Sequence, residues 1–126
     1  MSVNVQEVHD LLAKKFNATG QSQLFETTFL YALKRVIVDM QNRVGVSLDA
    51  PSNVTTDLDC DDEYYPVIVT GCILYVQDMG FFGQDKDNAG QRQDYMAQLA
   101  QAHTYYMGTQ TVYTGVRGES TDDDDD

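Results

Sequence analysis

Phe25-Glu-Thr-Thr-Phe-Leu-Tyr-Ala-Leu-Lys-Arg-Val-Ile-Val-Asp-Met-Gln-Asn-Arg-Val44 decides the fold. Phe25, Phe29, Ala32, Leu33, Val36, Ile37, Met40 and Val44 fall at the i, i+3, i+4, i+7 steps of one helix face. Glu26, Lys34, Asp39 and Arg43 lie mostly off that stripe, so the stretch predicts a long amphipathic helix with one buried side. Ser22 is a candidate cap at its start. Gly45 predicts its end, because glycine tolerates the left-handed backbone that follows many helices.

Upstream, Val5, Val8, Leu11, Leu12 and Phe16 repeat at helical spacing, and Asn17-Ala-Thr-Gly20 supplies a stop, so a first helix is expected over about residues 4–17. Downstream, Val44, Val46 and Leu48 alternate, Asp49-Ala-Pro-Ser-Asn53 turns, and Val54-Thr-Thr56 favours strand. Residues 45–60 therefore predict a short hairpin or an extended arm.

Asp57-Leu-Asp-Cys-Asp-Asp-Glu63 then packs five acids into seven residues immediately before an apolar helix. Asp61 or Asp62 is placed to cap that third helix, with Glu63 in the first turn and Pro66 tolerated there because the earliest helix amides lack internal partners. Tyr64, Val67, Ile68, Gly71, Cys72, Tyr75 and Met79 share one face, whereas Val69, Ile73 and Val76 point away from it. So broad an apolar belt predicts burial on two sides, by the domain itself and by a neighbouring copy. Gly71 predicts a close approach, most simply by the second helix. Residues 80–90 read as a polar loop, and Tyr95, Leu99, Ala102 and Tyr106 mark a fourth helix over Gln91–Met107. The β-branched run after Gly108 predicts an extended segment, and the acidic end a tail too polar to order itself. The expected fold class is mainly α, a small four-helix bundle with an extended or hairpin arm between helices two and three. The bundle would occupy residues 1–108, an extended C-terminal arm 109–118 and a disordered acidic tail 119–126.

The charge is −12, from 8 Lys+Arg against 20 Asp+Glu, five of the acids being Asp122–Asp126. Binding to nucleic acid releases counterions only where cations meet phosphate, so attraction to DNA or RNA is not expected and repulsion is. The apolar run Pro66–Val76, broken by Thr70 and Gly71, is shorter than the roughly 20 residues that span a bilayer, so no membrane association is expected. With two cysteines and no secretory leader pattern before Ser22, free thiols in a reducing compartment are expected, and Asn17-Ala-Thr19 and Asn53-Val-Thr55 read as chance glycosylation matches.

The residues supply no reaction. Asp57, Asp59 and Asp61 copy the first three ligand positions of a calcium loop, but Asp62 stands where the turn needs glycine and Ile68 where a bidentate glutamate is required. Asp85, Asp87 and Gly90 match that template less well. His9 and His103 belong to no zinc or di-metal motif and read as satisfied or solvent-facing. Cys60 is expected near the surface, its pKa raised by the acids beside it, and Cys72 in packing. Gly80-Phe-Phe-Gly83 lacks the lysine and third glycine of a phosphate loop. Neither enzyme activity nor a cofactor is expected, and a helical-bundle enzyme would need acid, base, nucleophile or metal ligands that the sequence does not pair.

From Phe25 to Ile37, and from Leu58-Asp through Asp-Glu-Tyr-Tyr-Pro66 into the third helix, the layout resembles the head-to-tail connector (adaptor) proteins of tailed bacteriophages, over roughly residues 22–107. That resemblance implies a structural subunit of a ring, commonly dodecameric, docked on the portal protein, extending the DNA channel and offering a platform to tail or further neck proteins. It implies residence in the virion neck, with assembly in the host cytoplasm, and DNA passing through without specific binding. On this reading Asp57, Asp59, Asp61, Asp62 and Glu63 would face the channel, and Val69, Ile73 and Val76 would pack between subunits. Val112, Tyr113, Val116 and Arg117 would form an arm toward portal or neighbour. A tail-completion or terminator protein of the neck, and a non-viral helical binding module with a groove between helices two and three, are the alternatives.

Overall fold

The computed structural model describes residues 2–16, 18, 22–79 and 89–115; the side chains of Ser22 and of residues 111–115 are outside the description. Four α-helices follow in order: α1 Val5–Lys15, α2 Ser22–Asp39, α3 Tyr65–Asp78 and α4 Ala89–Gly115. A π-helical turn, Met40–Val44, prolongs α2, and a 3₁₀ turn, Asp62–Tyr64, leads into α3. The architecture is a small, mainly helical bundle in which α3 packs against both α2 and α4, while α1 lies on α2. No described helix is long and apolar enough to cross a membrane.

All eight stripe residues from Phe25 to Val44 are buried, so the period of the sequence maps directly onto the core. Each such aliphatic or aromatic side chain contributes about 1.5–3 kcal/mol when taken out of water. The π-turn closes where the Gly45 amide donates to the Met40 carbonyl at 2.9 Å, five residues back. Gly45 has φ 106°, the left-handed conformation anticipated for it, and a Cβ there would also lie 2.8 Å from the Tyr106 ring. Two independent constraints thus hold this position to glycine.

In α1, Asn4 caps by accepting from the Glu7 amide at 2.9 Å, and Lys14 and Lys15 sit in the last turn, where cations complement the helix dipole. Val5, Val8, Leu12 and Phe16 are buried as their spacing predicts, but Leu11 is exposed and His9 takes a core position instead.

Residues 45–60 form neither a hairpin nor a protruding arm. Asn53 Oδ1 accepts from the Thr55 amide and from the hydroxyls of Thr55 and Thr56, which curls the chain where a strand was expected. Leu48, Val54, Leu58 and Cys60 are buried, so the linker is a lid over the core. Gln41 Nε2 fastens it by donating to the Leu48 carbonyl at 2.8 Å. Val3 and Leu58 exchange backbone hydrogen bonds of 2.9 and 3.0 Å, the one β-bridge among the described residues.

The C-terminal expectation also changes. Gly108 does not stop α4, which continues to Gly115 through the segment read as extended. No neighbour crowds Gly108, and the Thr109 hydroxyl folds back onto the Tyr106 carbonyl at 2.7 Å. One interior glycine costs about 1 kcal/mol relative to alanine, and β-branched residues a few tenths, too little to end a helix already propagating from a packed turn. Val112 and Tyr113 therefore lie on helix, whereas Val116, Arg117 and the acidic tail fall outside the described residues, as do Gly80-Phe-Phe-Gly83, Asp85 and Asp87.

Candidate functional site

The acidic turn before α3 is built by its neighbours rather than by its own cap. Asp61 occupies the N-cap position with extended backbone, yet its side chain makes no capping bond. Its carboxylate instead accepts from the Tyr105 hydroxyl of α4 at 2.7 Å, and the rings of Tyr64 and Tyr105 meet edge to face with centroids 5.5 Å apart. The Tyr105 phenol is pushed up to about 12, by the bond to Asp61 first and by burial second, and Tyr64 to about 12 by burial and then by Asp61. Both remain neutral at physiological pH, Tyr105 as a donor to Asp61. Asp57, Asp59, Asp62 and Glu63 are exposed, and no lysine or arginine pairs with them among the described residues. The turn is therefore an exposed acidic patch anchored to α4 through Asp61.

The three residues expected to face away from α3 do not behave alike. Val69 and Ile73 are half-buried at the edge of the core, but Val76 is fully buried. Because α2 and α4 flank α3, its buried residues from Leu74 round to Val76 sweep roughly 200° at ~100° per residue, which brings Val76 inside. Much of the breadth assigned to a neighbouring copy is thus used within the domain. Met79, placed on the buried face by spacing, is exposed at the helix end.

A second polar constellation lies where α2, α3 and α4 meet. Asp39 receives the hydroxyl of Tyr95 at 2.8 Å and that of Tyr75 on the same oxygen. The two rings stand edge to face, centroids 5.9 Å apart, and the Arg35 guanidinium lies 4.6 Å from the Tyr75 centroid. Burial, then the bond to Asp39, pushes Tyr75 up to about 12 and Tyr95 higher still. Beside this knot opens a cleft of ≈ 220 Å³ lined by Asp39, Arg43, Leu74, Tyr75, Arg92, Tyr95, Met96 and Leu99. Arg92 reaches Asp78 at 3.2 Å across its rim, and Arg43 makes no ion pair among the described residues. The cleft's phenols are held neutral, and its charged lining sets Arg43 and Arg92 beside the carboxylate of Asp39. Spacing could not have indicated it, because Asp39 meets partners 36 and 56 residues away.

His9 is neither satisfied nor solvent-facing. It is buried against Phe25 and Phe29, with ring centroids 5.5 Å from each; Nδ1 meets Asp10 at 3.0 Å, and Nε2 has no partner among the described residues. His103 is exposed, its Nδ1 3.4 Å from the Val44 carbonyl. Cys60 is buried rather than near the surface, and its thiol is pushed up to about 11, by burial first and then by Asp61, Asp59 and Asp62. Cys72 is fully buried and shifted the same way by burial alone. Among the described residues no three His, Cys, Asp or Glu side chains converge as metal ligands would.

Comparison with known proteins finds no matching family model, no matching curated protein and no matching solved structure.

Proposed function

We propose that this chain is a structural subunit that assembles into a ring, acting as a head-to-tail connector in the neck of a tailed bacteriophage. The observation that carries the reading is the acidic turn, which Tyr105 pins through Asp61 and which presents Asp57, Asp59, Asp62 and Glu63 to solvent. Such a surface lining a channel repels DNA phosphates and lets the duplex pass without adhering. Exposed apolar side chains on different helices, Leu24, Tyr31 and Val38 on α2 and Met96 and Met107 on α4, suit the two dissimilar lateral faces of a ring subunit. Its partners on this reading are its own copies, the portal protein, and tail or further neck proteins; a tail-completion role in the same neck uses the same surfaces.

The arginine-rimmed cleft favours a second reading, a helical binding module that receives an acidic segment of another protein. Its ≈ 220 Å³ is below the roughly 300 Å³ at which small-molecule pockets begin, so an apolar small ligand fits it poorly.

Electron microscopy of the purified protein mixed with portal tests the connector. The expected result is a ring seated on the portal with the acidic turn on its inner wall. A strictly monomeric mass both alone and with portal would overturn the ring, and acids on the outer wall would overturn the channel role.

A further inference from the structure

We propose that the outward face of α2 pairs antiparallel with the same face of a second copy, about a two-fold axis through Tyr31. Leu24, Tyr31 and Val38 are 57%, 52% and 45% exposed and follow one another at intervals of seven residues. That interval is close to two helical turns, so the three side chains form one seam on the side of α2 away from its buried stripe, along which a second helix can lie.

The seam is self-complementary. With the helices antiparallel and Tyr31 on the axis, Leu24 of one copy lies against Val38 of the other, and Lys34 and Arg35 lie against Thr28 and Thr27. The Thr27 and Thr28 hydroxyls already donate their protons within α2, to the Gln23 and Leu24 carbonyls at 3.2 and 3.1 Å. Their oxygens are left to accept, and lysine and arginine can only donate. Each cation of one copy therefore meets an acceptor of the other. Parallel pairing would set Lys34 against Lys34 and Arg35 against Arg35, a like-charge contact, so the charges select the antiparallel arrangement.

The same charges single out a second copy as the occupant. The described exposed positions of α2 include no acid, and Lys34 makes no ion pair among the described residues. Two chains of charge −12 repel each other, and this face lets them meet where neither presents an acid. The chain's own acidic end, residues 119–126, has no apolar side chain with which to cover the seam. The contact draws on α2 alone and leaves the acidic turn, seated on α4, out of it. A two-fold contact closes on itself and stops at two copies. The pairing stands independently of the ring reading, but it occupies the α2 face that a ring contact would use, so paired copies are held out of rings until they part.

Sedimentation velocity of the full chain without portal tests the pairing. The expected result is a monomer–dimer equilibrium that tightens as salt screens the repulsion between the two acidic chains. Tyr31→Glu, which brings two carboxylates together on the axis, should weaken it at least about ten-fold. Thr28→Glu, set opposite Lys34 of the second copy, should tighten it about three-fold. Both positions lie outside the core, and unchanged helical circular dichroism separates lost pairing from lost folding. A wild type that stays monomeric at every salt concentration would overturn the pairing and leave the seam to a different protein, whether or not a ring forms on portal. Dimers that form alone but give no ring on portal would overturn the ring and support the pairing. A dimer untouched by Tyr31→Glu would put the contact elsewhere and sink the proposal, as would a dimer that weakens with salt or growth beyond two copies. Weakening by both Tyr31→Glu and Thr28→Glu would assign a parallel pair and overturn the antiparallel one.

Discussion

Tyr95 of α4 donates its hydroxyl to Asp39 of α2 at 2.8 Å, and Tyr75 of α3 donates to the same carboxylate oxygen, so one acid ties three helices together. Tyr95 is almost wholly buried, which makes its hydroxyl dependent on that acceptor.

Asp39→Ala should therefore cost about 3 kcal/mol, because it strands two phenols at once, whereas Tyr95→Phe or Tyr75→Phe should cost about 1 kcal/mol each. Urea unfolding of the three variants checks this. The losses should not add, since all three residues share one network; equal losses for all three would count against the shared acceptor.

Gly71 has no room for a side chain. A Cβ there would lie 2.5 Å from Tyr95 Cε1 and 2.7 Å from Val36 Cγ2. Gly71→Ala gains about 1 kcal/mol of helix propensity but incurs about 1–3 kcal/mol of overpacking, so a net loss is expected. In a Val36→Ala background one of the two clashes disappears, and the penalty measured by thermal unfolding should shrink.

Alkaline stability follows from the tyrosines. In the native protein the phenols of Tyr64 and Tyr75 are pushed up to about 12, whereas unfolded tyrosine ionises near ~10. Below pH ~10 both states keep their protons and the full stability is present. Between about 10 and 12 the unfolded chain releases protons that the native state holds, so stability falls as pH rises, and the loss is complete above the native value. Urea midpoints measured from pH 8 upward should drop most steeply in that window, and Tyr64→Phe should flatten the drop.

The thiols should be inert. Cys60, shifted from an ordinary value of 9 to about 11, carries about 100-fold less thiolate at neutral pH, and Cys72 is enclosed. Labelling by a disulfide reagent should be slow in the native protein and rapid for both residues in urea; prompt native labelling of Cys60 would show that the lid formed by residues 45–60 opens readily.

What the sequence made legible was whatever a single helix determines by itself. The stripe from Phe25 to Val44 faces one core, so its period gave all eight buried positions, and Gly45 marked the stop through backbone geometry alone. Val76 was misplaced because α3 is covered from two sides and its period no longer distinguishes inside from outside. The linker misled because its apolar residues Leu48, Val54 and Leu58 are separate anchors onto the core and not rungs of a ladder. For the candidate site, the acidic turn was legible as charge, but its fastening by Tyr105 was not, and the cleft depends on residues from three helices that no local pattern joins.

The bridge between Val3 and Leu58 joins positions nearly half the chain apart. Closing so long a loop loses much chain entropy for two hydrogen bonds, so the bridge is expected to form late, after α2 and α3 have drawn its ends together. The acidic turn follows directly after Leu58, so its final orientation would be acquired in the last step of folding. The charge of that turn would then reach its final geometry only in chains that have finished folding, so the surface itself reports that folding is complete.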